Sequence, residues 1–155
     1  MPGSGKTTLA TRLAEKIPAV RLCPDEWMGR LGVDLWDSDT RDRLERLFWE
    51  HAQRLLELGQ SVILESGFWL RSDRDEKGLG ARALGVAVEL HYLAVPFEEL
   101  CHRLEARNTR GTPGAVALSR ERLAEFASYF QAPDTDELGL FDNVAGPEQA
   151  MLKDT

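Results

Sequence analysis

Cysteines and long apolar runs, which are common in secreted and membrane proteins, are scarce in this sequence. The 155-residue chain has two cysteines, Cys23 and Cys101, which lie far apart and lack the spacing of a zinc site. No apolar stretch reaches membrane-spanning length, and none resembles a signal peptide. These absences argue against a disulfide-stabilised domain, a zinc module and a membrane partner. They predict a cytoplasmic protein whose thiols are reduced and buried.

Basic residues are in the minority, with 19 lysines and arginines against 26 aspartates and glutamates. The net charge of -7 argues against a long nucleic acid as partner, because such binding needs a basic face that neutralises phosphates. A local basic pocket around a phosphorylated ligand is compatible with this charge. Length and composition predict one globular domain over residues 1–155, and they do not bear on its oligomeric state.

The N-terminus holds only part of a known motif. The stretch MPGSGKTTLA contains the second half of the phosphate-binding loop G-x-x-x-x-G-K-[ST], without the leading glycine and the strand that normally precede it. We therefore expect the native chain to continue upstream with about five apolar β-branched residues, a glycine and one more residue. The residues predicted to bind the nucleotide are Pro2, Gly3, Ser4, Gly5, Lys6, Thr7 and Thr8.

The chemistry of this loop follows from its glycines and two polar side chains. Glycines let backbone N–H groups turn toward an anion, and the following helix points its positive end at the same place. Lys6 would contact the β- and γ-phosphates of ATP, and the Thr7 hydroxyl would hold Mg²⁺. The alternative is a glycine-rich tail that frays before a helix. The intact register of the remaining positions, followed at once by an amphipathic helix, favours nucleotide binding.

Helical and extended patterns alternate along the chain, which predicts an α/β fold with a parallel sheet. The predicted helices cover residues 7–17, 40–58 and 96–107, and a fourth begins after Ser119. The predicted strands cover residues 19–23, 61–64 and 86–95, with 138–144 as a further candidate. Residues 24–39 have an irregular pattern, and Gly78 and Gly80 are expected to break a weak helix.

Carboxylates follow the first predicted strand. Asp25 and Glu26 lie at its carboxyl end, which is where a parallel sheet places its site. A kinase needs a base there to orient and deprotonate the acceptor hydroxyl. Asp25 is the predicted base and Glu26 the competing carboxylate. The alternative is that Asp25 only caps a turn after Pro24.

Five stretches resemble the small bacterial P-loop kinases typified by the kinase domain of phage polynucleotide kinase. These stretches are PGSGKTTLA, CPDEW, VILESGFWLRSDRDE, VELHYLAVPFEELCHRLEARN and FQAPDTDELGLFD, and together they span nearly the whole chain. Chloramphenicol phosphotransferase and the zeta toxins are more distant relatives, and predicted kinases of the AAA_33 type are nearer. The resemblance implies a three-layer P-loop sandwich that lacks its first strand here, an N-terminally truncated kinase domain, and ATP and Mg²⁺ as ligands.

The resemblance also implies roles for individual residues. Asp25 falls on the base of the family motif R-D-D-Y. Glu65 stands where the relatives usually carry Asp; it would hold a Mg²⁺-bound water or the acceptor, or is merely solvated. Arg107 and Arg110 in ARNTRG match the arginine-bearing lid of the family, which closes over the γ-phosphate. The alternative is that the two arginines only complement the dipole of the helix that ends there.

The remaining candidates concern the acceptor. Trp27 and Trp69 either line an aromatic pocket or pack in the ordinary way, and Arg71 and Arg74 either bind the acceptor or cover a helix start. Glu26 is a further candidate for contact with the acceptor. The leading hypothesis is an ATP-dependent kinase that phosphorylates a hydroxyl of a small molecule. The alternatives are a polynucleotide or nucleoside 5′-hydroxyl kinase and a nucleotide-binding regulator that transfers no phosphate.

Overall fold

The structure is a computed structural model that describes residues 1–110 and 117–142. It separates into two compact units. The strand unit comprises Lys6–Gly67 and Ala83–Val86, and the helix unit comprises Met1–Gly5, Phe68–Arg82 and the described part of Ala87–Thr155. In chain order the elements are α1 (Lys6–Lys16), β1 (Ala19–Leu22), α2 (Pro24–Leu31), α3 (Ser38–Glu57), β2 (Ser61–Leu64), α4 (Arg71–Ala83), α5 (Phe97–Arg110), α6 (Arg120–Tyr129) and α7 (Thr135–Leu138).

The sheet of the described residues consists of β1 and β2, which run parallel. Their register pairs Ala19 with Ser61 and Leu22 with Leu64. The connection through α2 and α3 is the crossover that parallel neighbours require. This arrangement confirms a helix-rich α/β fold with a small parallel sheet. It also brings the carboxyl ends of both strands to one edge.

A small apolar core holds the strand unit together. Leu22 of β1 packs with Phe48 and Ala52, which lie four residues apart on α3 and so share one face. The helix α3 begins at Ser38, two residues before the predicted start at residue 40. The Asp37 side chain caps it by accepting a hydrogen bond from the Thr40 N–H at 3.0 Å. Burial of this face holds α3 against the sheet. The same packing holds the ends of both strands in place.

The prediction of an irregular segment over residues 24–39 holds for residues 32–37 but was wrong for residues 24–31, which form α2. Pro24 occupies the first turn, where its missing N–H is not needed, and Asp25 and Glu26 complement the positive helix end. Gly32 ends the helix in the left-handed conformation with φ of 69°. Met28, 1% exposed, anchors the inner face. The two candidate carboxylates therefore sit on the first turn of a helix.

Two other predictions about the chain were also wrong. The helix α4 runs unbroken through Gly78, where an added Cβ would lie 3.4 Å from the ring of Phe141. This glycine allows close packing and does not break the helix. Residues 86–95 form no strand, because their backbone pairs instead at isolated points. Val88, for example, accepts a hydrogen bond from Asp142 N at 2.9 Å.

The end of the described chain differs from prediction as well. Leu138 belongs to α7, whose cap Asp134 accepts a hydrogen bond from Glu137 N at 2.8 Å, and not to a strand. A turn follows at residues 139–140, and Val144 of the predicted strand lies outside the described residues. An aspartate three residues before an acidic residue favours the helix start over an extended segment.

The helix unit has a core of its own, made of Leu100, Cys101, Leu104, Leu118 and Leu123. The predicted cap of α6 is confirmed, since the Ser119 hydroxyl accepts a hydrogen bond from Arg122 N at 3.2 Å. Both cysteines are buried free thiols, as predicted. Among the helices of residues 1–110 and 117–142, none has the length and apolar character needed to cross a membrane.

Candidate active site

The phosphate loop has the backbone conformation that its glycines predict. Gly3 and Gly5 have φ of 76° and 94°, in the left-handed region that other residues rarely adopt. A Cβ at Gly3 would approach the Leu104 side chain to 3.3 Å, whereas a Cβ at Gly5 would meet nothing within 4 Å. Gly3 therefore packs closely, and the backbone at Gly5 is open to an approaching group. The buried Ser4 Oγ has no hydrogen-bond partner among the described residues, as expected of a loop built to receive a polar ligand.

Lys6 and Thr7 form the first turn of α1, directly after this loop. Burial lowers the pKa of Lys6, and the attraction of Asp25 and Glu65 only partly opposes this shift. The ammonium group is therefore poorly solvated and near two carboxylates. This is the environment in which a bound phosphate would gain most from a positive charge.

Glu65 follows β2 and extends the sheet by one backbone bond, from its N–H to Leu22 O at 2.9 Å. Its side chain is 5% exposed. Thr7 Oγ1 donates a hydrogen bond to Glu65 Oε1 at 2.5 Å. Mg²⁺ prefers oxygen ligands and usually binds proteins through one or two side chains, keeping several waters. A hydroxyl and a carboxylate in direct contact fit that requirement.

Arg21 projects from β1 and joins two carboxylates. Its Nε donates to Glu65 Oε2 at 2.9 Å, and its Nη1 and Nη2 donate to Glu26 Oε2 at 2.9 and 2.8 Å. Burial lowers the pKa of Arg21, but the hydrogen bond and charge of Glu65 outweigh this effect and raise it overall. The site thus contains an unbroken chain of contacts from Glu26 through Arg21 and Glu65 to Thr7.

Asp25 lies on the first turn of α2 with 65% of its side chain exposed. Arg41, near the start of α3, donates to Asp25 Oδ1 and also to Leu35 O, the latter at 2.9 Å. The carboxylate is therefore held from one side and open to solvent on the other. It is placed to accept a proton from a molecule that approaches from solvent.

A sequence model of the AAA_33 family, described as an AAA domain, matches residues 1–133. The chain belongs to the AAA_33 family. AAA_33 domains are of the P-loop NTPase type, a nucleotide-binding class, and the family includes kinases. No curated protein matched the chain.

Among the predicted acceptor residues, Glu26 and Trp27 lie in the strand unit beside Asp25. Glu26 is held by Arg21, as described above. Trp27 packs edge-on against Phe48, with ring centroids 5.2 Å apart, and remains 47% exposed. An aromatic ring that is anchored at one edge and exposed at the other suits contact with an organic molecule.

Trp69, Arg71 and Arg74 belong to the helix unit. Trp69 packs edge-on against Phe126, with centroids 5.2 Å apart. Arg71 is exposed, whereas the Arg74 guanidinium is buried and bonded to Glu137. Their predicted acceptor roles stay predictions, and the contacts of Arg74 are those of a structural ion pair.

Arg107 and Arg110 also lie in the helix unit, near the end of α5. Arg107 is half-buried, and the Arg110 side chain is outside the described part of the structure. Thr8 is exposed on α1, and Pro2 is half-buried in the loop. The lid role of the two arginines stays a prediction.

Arg21 and Arg41 are site residues that the sequence did not reveal. A charged residue inside the otherwise apolar stretch AVRLC was the available signal for Arg21. A buried strand tolerates such a charge only beside a partner, and a carboxylate ends the neighbouring strand. No comparable signal existed for Arg41, because arginine on the first turns of a helix is common on protein surfaces.

Proposed function

We propose that this AAA_33 protein is an ATP- and Mg²⁺-dependent kinase that phosphorylates a hydroxyl group of a small molecule. The observation that carries the proposal is the contact of Thr7 Oγ1 with Glu65 Oε1 at 2.5 Å, beside the poorly solvated Lys6. A hydroxyl, a carboxylate and a lysine together serve the phosphates and metal of a nucleoside triphosphate. The three-layer sandwich expected for such kinases is part of the same proposal.

The binding roles follow from the chemistry of each group. Residues 3–8 would surround the phosphates with backbone N–H groups, and Pro2, which has no N–H, would shape the loop. Lys6 would neutralise the β- and γ-phosphates, and Thr7 and Glu65 would hold the cation. When bound, Mg²⁺ neutralises charge on the phosphate oxygens. The open backbone at Gly5 supports a ligand at this loop, as does the Ser4 hydroxyl, which finds no hydrogen-bond partner within residues 1–110 and 117–142.

Asp25 would act as the base. The acceptor oxygen forms a bond to the γ-phosphorus of ATP, the bond from that phosphorus to the departing ADP oxygen breaks, and the hydroxyl proton passes to Asp25. Glu26 suits this role less well, because Arg21 donates two hydrogen bonds to its Oε2. Asp25 is also the more exposed, at 65% against 43% for Glu26.

The remaining residues would assist transfer and recognition. Arg107 and Arg110 would stabilise the charge that develops on the transferred group, as lid arginines do in related kinases. Trp27 would contact the acceptor, and the acceptor roles of Trp69, Arg71 and Arg74 stay predictions from the sequence. A small acceptor is favoured over a long nucleic acid by the net charge of -7.

The test is transfer of label from γ-labelled ATP to a panel of sugars, nucleosides, nucleotides and aminoglycoside- or chloramphenicol-like compounds. Wild-type protein should label at least one acceptor, and Asp25→Asn should not. Labelling confined to 5′-hydroxyls of nucleosides or oligonucleotides would favour the nucleic-acid alternative. Tight ATP binding without transfer to any acceptor would favour a regulator, and absence of ATP binding would overturn the proposal.

A further inference from the structure

Arg21 has an unusual position for a charged residue. It is the one charged residue of the strand sequence AVRL, and its side chain is 20% exposed. The three guanidinium nitrogens are all used, with Nε on Glu65 and both terminal nitrogens on Glu26. Such a planar fork fixes the orientation of each partner more strongly than a single charge could.

Glu65 depends on this contact, because a carboxylate that is 5% exposed needs a partner for its charge. Oε2 accepts from Arg21 and Oε1 accepts from Thr7. Since Arg21 holds Oε2, the carboxylate cannot rotate without breaking the ion pair, and Oε1 stays directed at Thr7.

The orientation of Glu65 decides what the Thr7 hydroxyl can do. A hydroxyl has one proton and two lone pairs. With the proton donated to Glu65 Oε1, both lone pairs of Thr7 Oγ1 remain for other contacts, including a cation. Without Glu65 in place, the proton is free to point elsewhere, and the oxygen is less well prepared as a metal ligand.

We propose that Arg21 is a positioning residue for the cation site, acting through Glu65 on Thr7, with Glu26 holding Arg21 from its other side. This inference rests on the proposed nucleotide and Mg²⁺ binding, and it assigns Glu26 to positioning and not to contact with the acceptor. Arg21 itself touches neither substrate nor metal. Lysine cannot replace it, because one ammonium group cannot reach Glu65 and Glu26 with the same fork.

The experiment measures the affinity of a fluorescent ADP analogue in Mg²⁺ and in EDTA. The ratio of the two dissociation constants reports the cation site separately from phosphate binding and from activity. In Arg21→Gln the ratio should fall by about 10- to 100-fold, the usual loss when a group supporting a metal ligand is removed. Affinity in EDTA should stay within about twofold of wild type, because the loop and Lys6 are intact.

Further variants separate positioning from simple loss of charge. Arg21→Lys should also lose most of the Mg²⁺ effect, whereas Arg12→Gln, an exposed arginine on α1, should match wild type. Glu26→Gln should lower the ratio by a smaller factor, with no further loss in the Arg21→Gln background. Circular dichroism checks that each variant is folded. If Arg21→Gln is not folded, the ratios measured for Arg21→Lys and Glu26→Gln test the inference in its place.

Several results would overturn the inference. One is an unchanged ratio in Arg21→Gln; another is an equal loss of affinity in Mg²⁺ and in EDTA, which indicates a general structural role. A wild-type ratio in Arg21→Lys would show that a positive charge at position 21 is enough to support the cation site, without the geometry of the guanidinium group. A wild-type protein that binds ADP equally in both buffers refutes the cation site, whereas one that binds no nucleotide refutes the proposed function itself.

Discussion

The ion pair between Arg74 and Glu137 offers the sharpest test of how the helix unit is held together. The two side chains are 3% and 2% exposed. Arg74 donates from Nε to Glu137 Oε1 at 2.5 Å and from Nη2 to Oε2 at 2.9 Å, and its Nη1 donates to Phe68 O at 2.9 Å. Arg74→Met would keep much of the side-chain volume but leave the Glu137 carboxylate buried without its cation.

Breaking a buried pair from one side costs about 3–5 kcal/mol, because the remaining charge is uncompensated. That loss is a large part of a typical stability of roughly 5–15 kcal/mol. At about 2–4 °C per kcal/mol for a chain of this size, the melting temperature should fall by ~6–20 °C. The double variant Arg74→Met, Glu137→Leu should recover most of this loss, since an apolar pair replaces the ions.

Thermal and urea unfolding measure the effect, with Arg71→Met as the matched control. Arg71 is exposed and lies 3.6 Å from Asp75 and 3.8 Å from Asp134, so its loss should cost about 0–1 kcal/mol. If Arg74→Met melts no lower than Arg71→Met, the reasoning about the buried pair is refuted. A stable Arg74→Met variant with weakened acceptor binding would instead support the acceptor role predicted from the sequence.

Three further predictions concern the site and a helix cap. Lys6→Met should weaken nucleotide binding by about tenfold or more, since a charge-assisted bond to phosphate is lost. It should also raise the melting temperature of the ligand-free protein, because burial disfavours the charged lysine in the folded state; a lower melting temperature would contradict this. Asp25→Asn should reduce kcat by about 10²–10⁴ with ATP affinity unchanged, and an impaired Glu26→Gln beside an active Asp25→Asn would show that the wrong carboxylate was chosen. Ser119→Ala should cost about 0.5–2 kcal/mol in urea unfolding, while Ser119→Asp retains the cap.

Sequence patterns predicted the elements whose apolar spacing is regular. The helices α1 and α3 and the strands β1 and β2 lie within two residues of their predicted bounds. The short helix α2 was missed because its apolar face is small, although Pro24, Asp25 and Gly32 supplied starting and ending signals. Residues 86–95 have strand-like composition, but pairing with a neighbour decides whether a segment becomes a strand, and composition does not reveal pairing.

The site likewise contains residues that the sequence could predict and residues that it could not. Lys6 and Thr7 could be predicted because a local motif fixes their positions relative to the phosphates. Glu65 could be predicted as a strand-end carboxylate but not as the partner of Thr7, from which it is separated by 58 positions. The partners of Arg21 and Arg41 come together only in the folded chain, so the charge of Arg21 in an apolar strand was visible in the sequence but its partners were not, and Arg41 gave no signal.

The presence of glutamate at position 65 has a physical explanation in these contacts. The resemblance to P-loop kinases predicts an aspartate there, and aspartate is shorter by one methylene. In this protein the carboxylate meets Thr7 with one oxygen and Arg21 with the other. The longer side chain lets one carboxylate reach both a residue of α1 and the strand β1. Glutamate at this position and arginine at position 21 are therefore best understood as a pair, each accounting for the burial of the other.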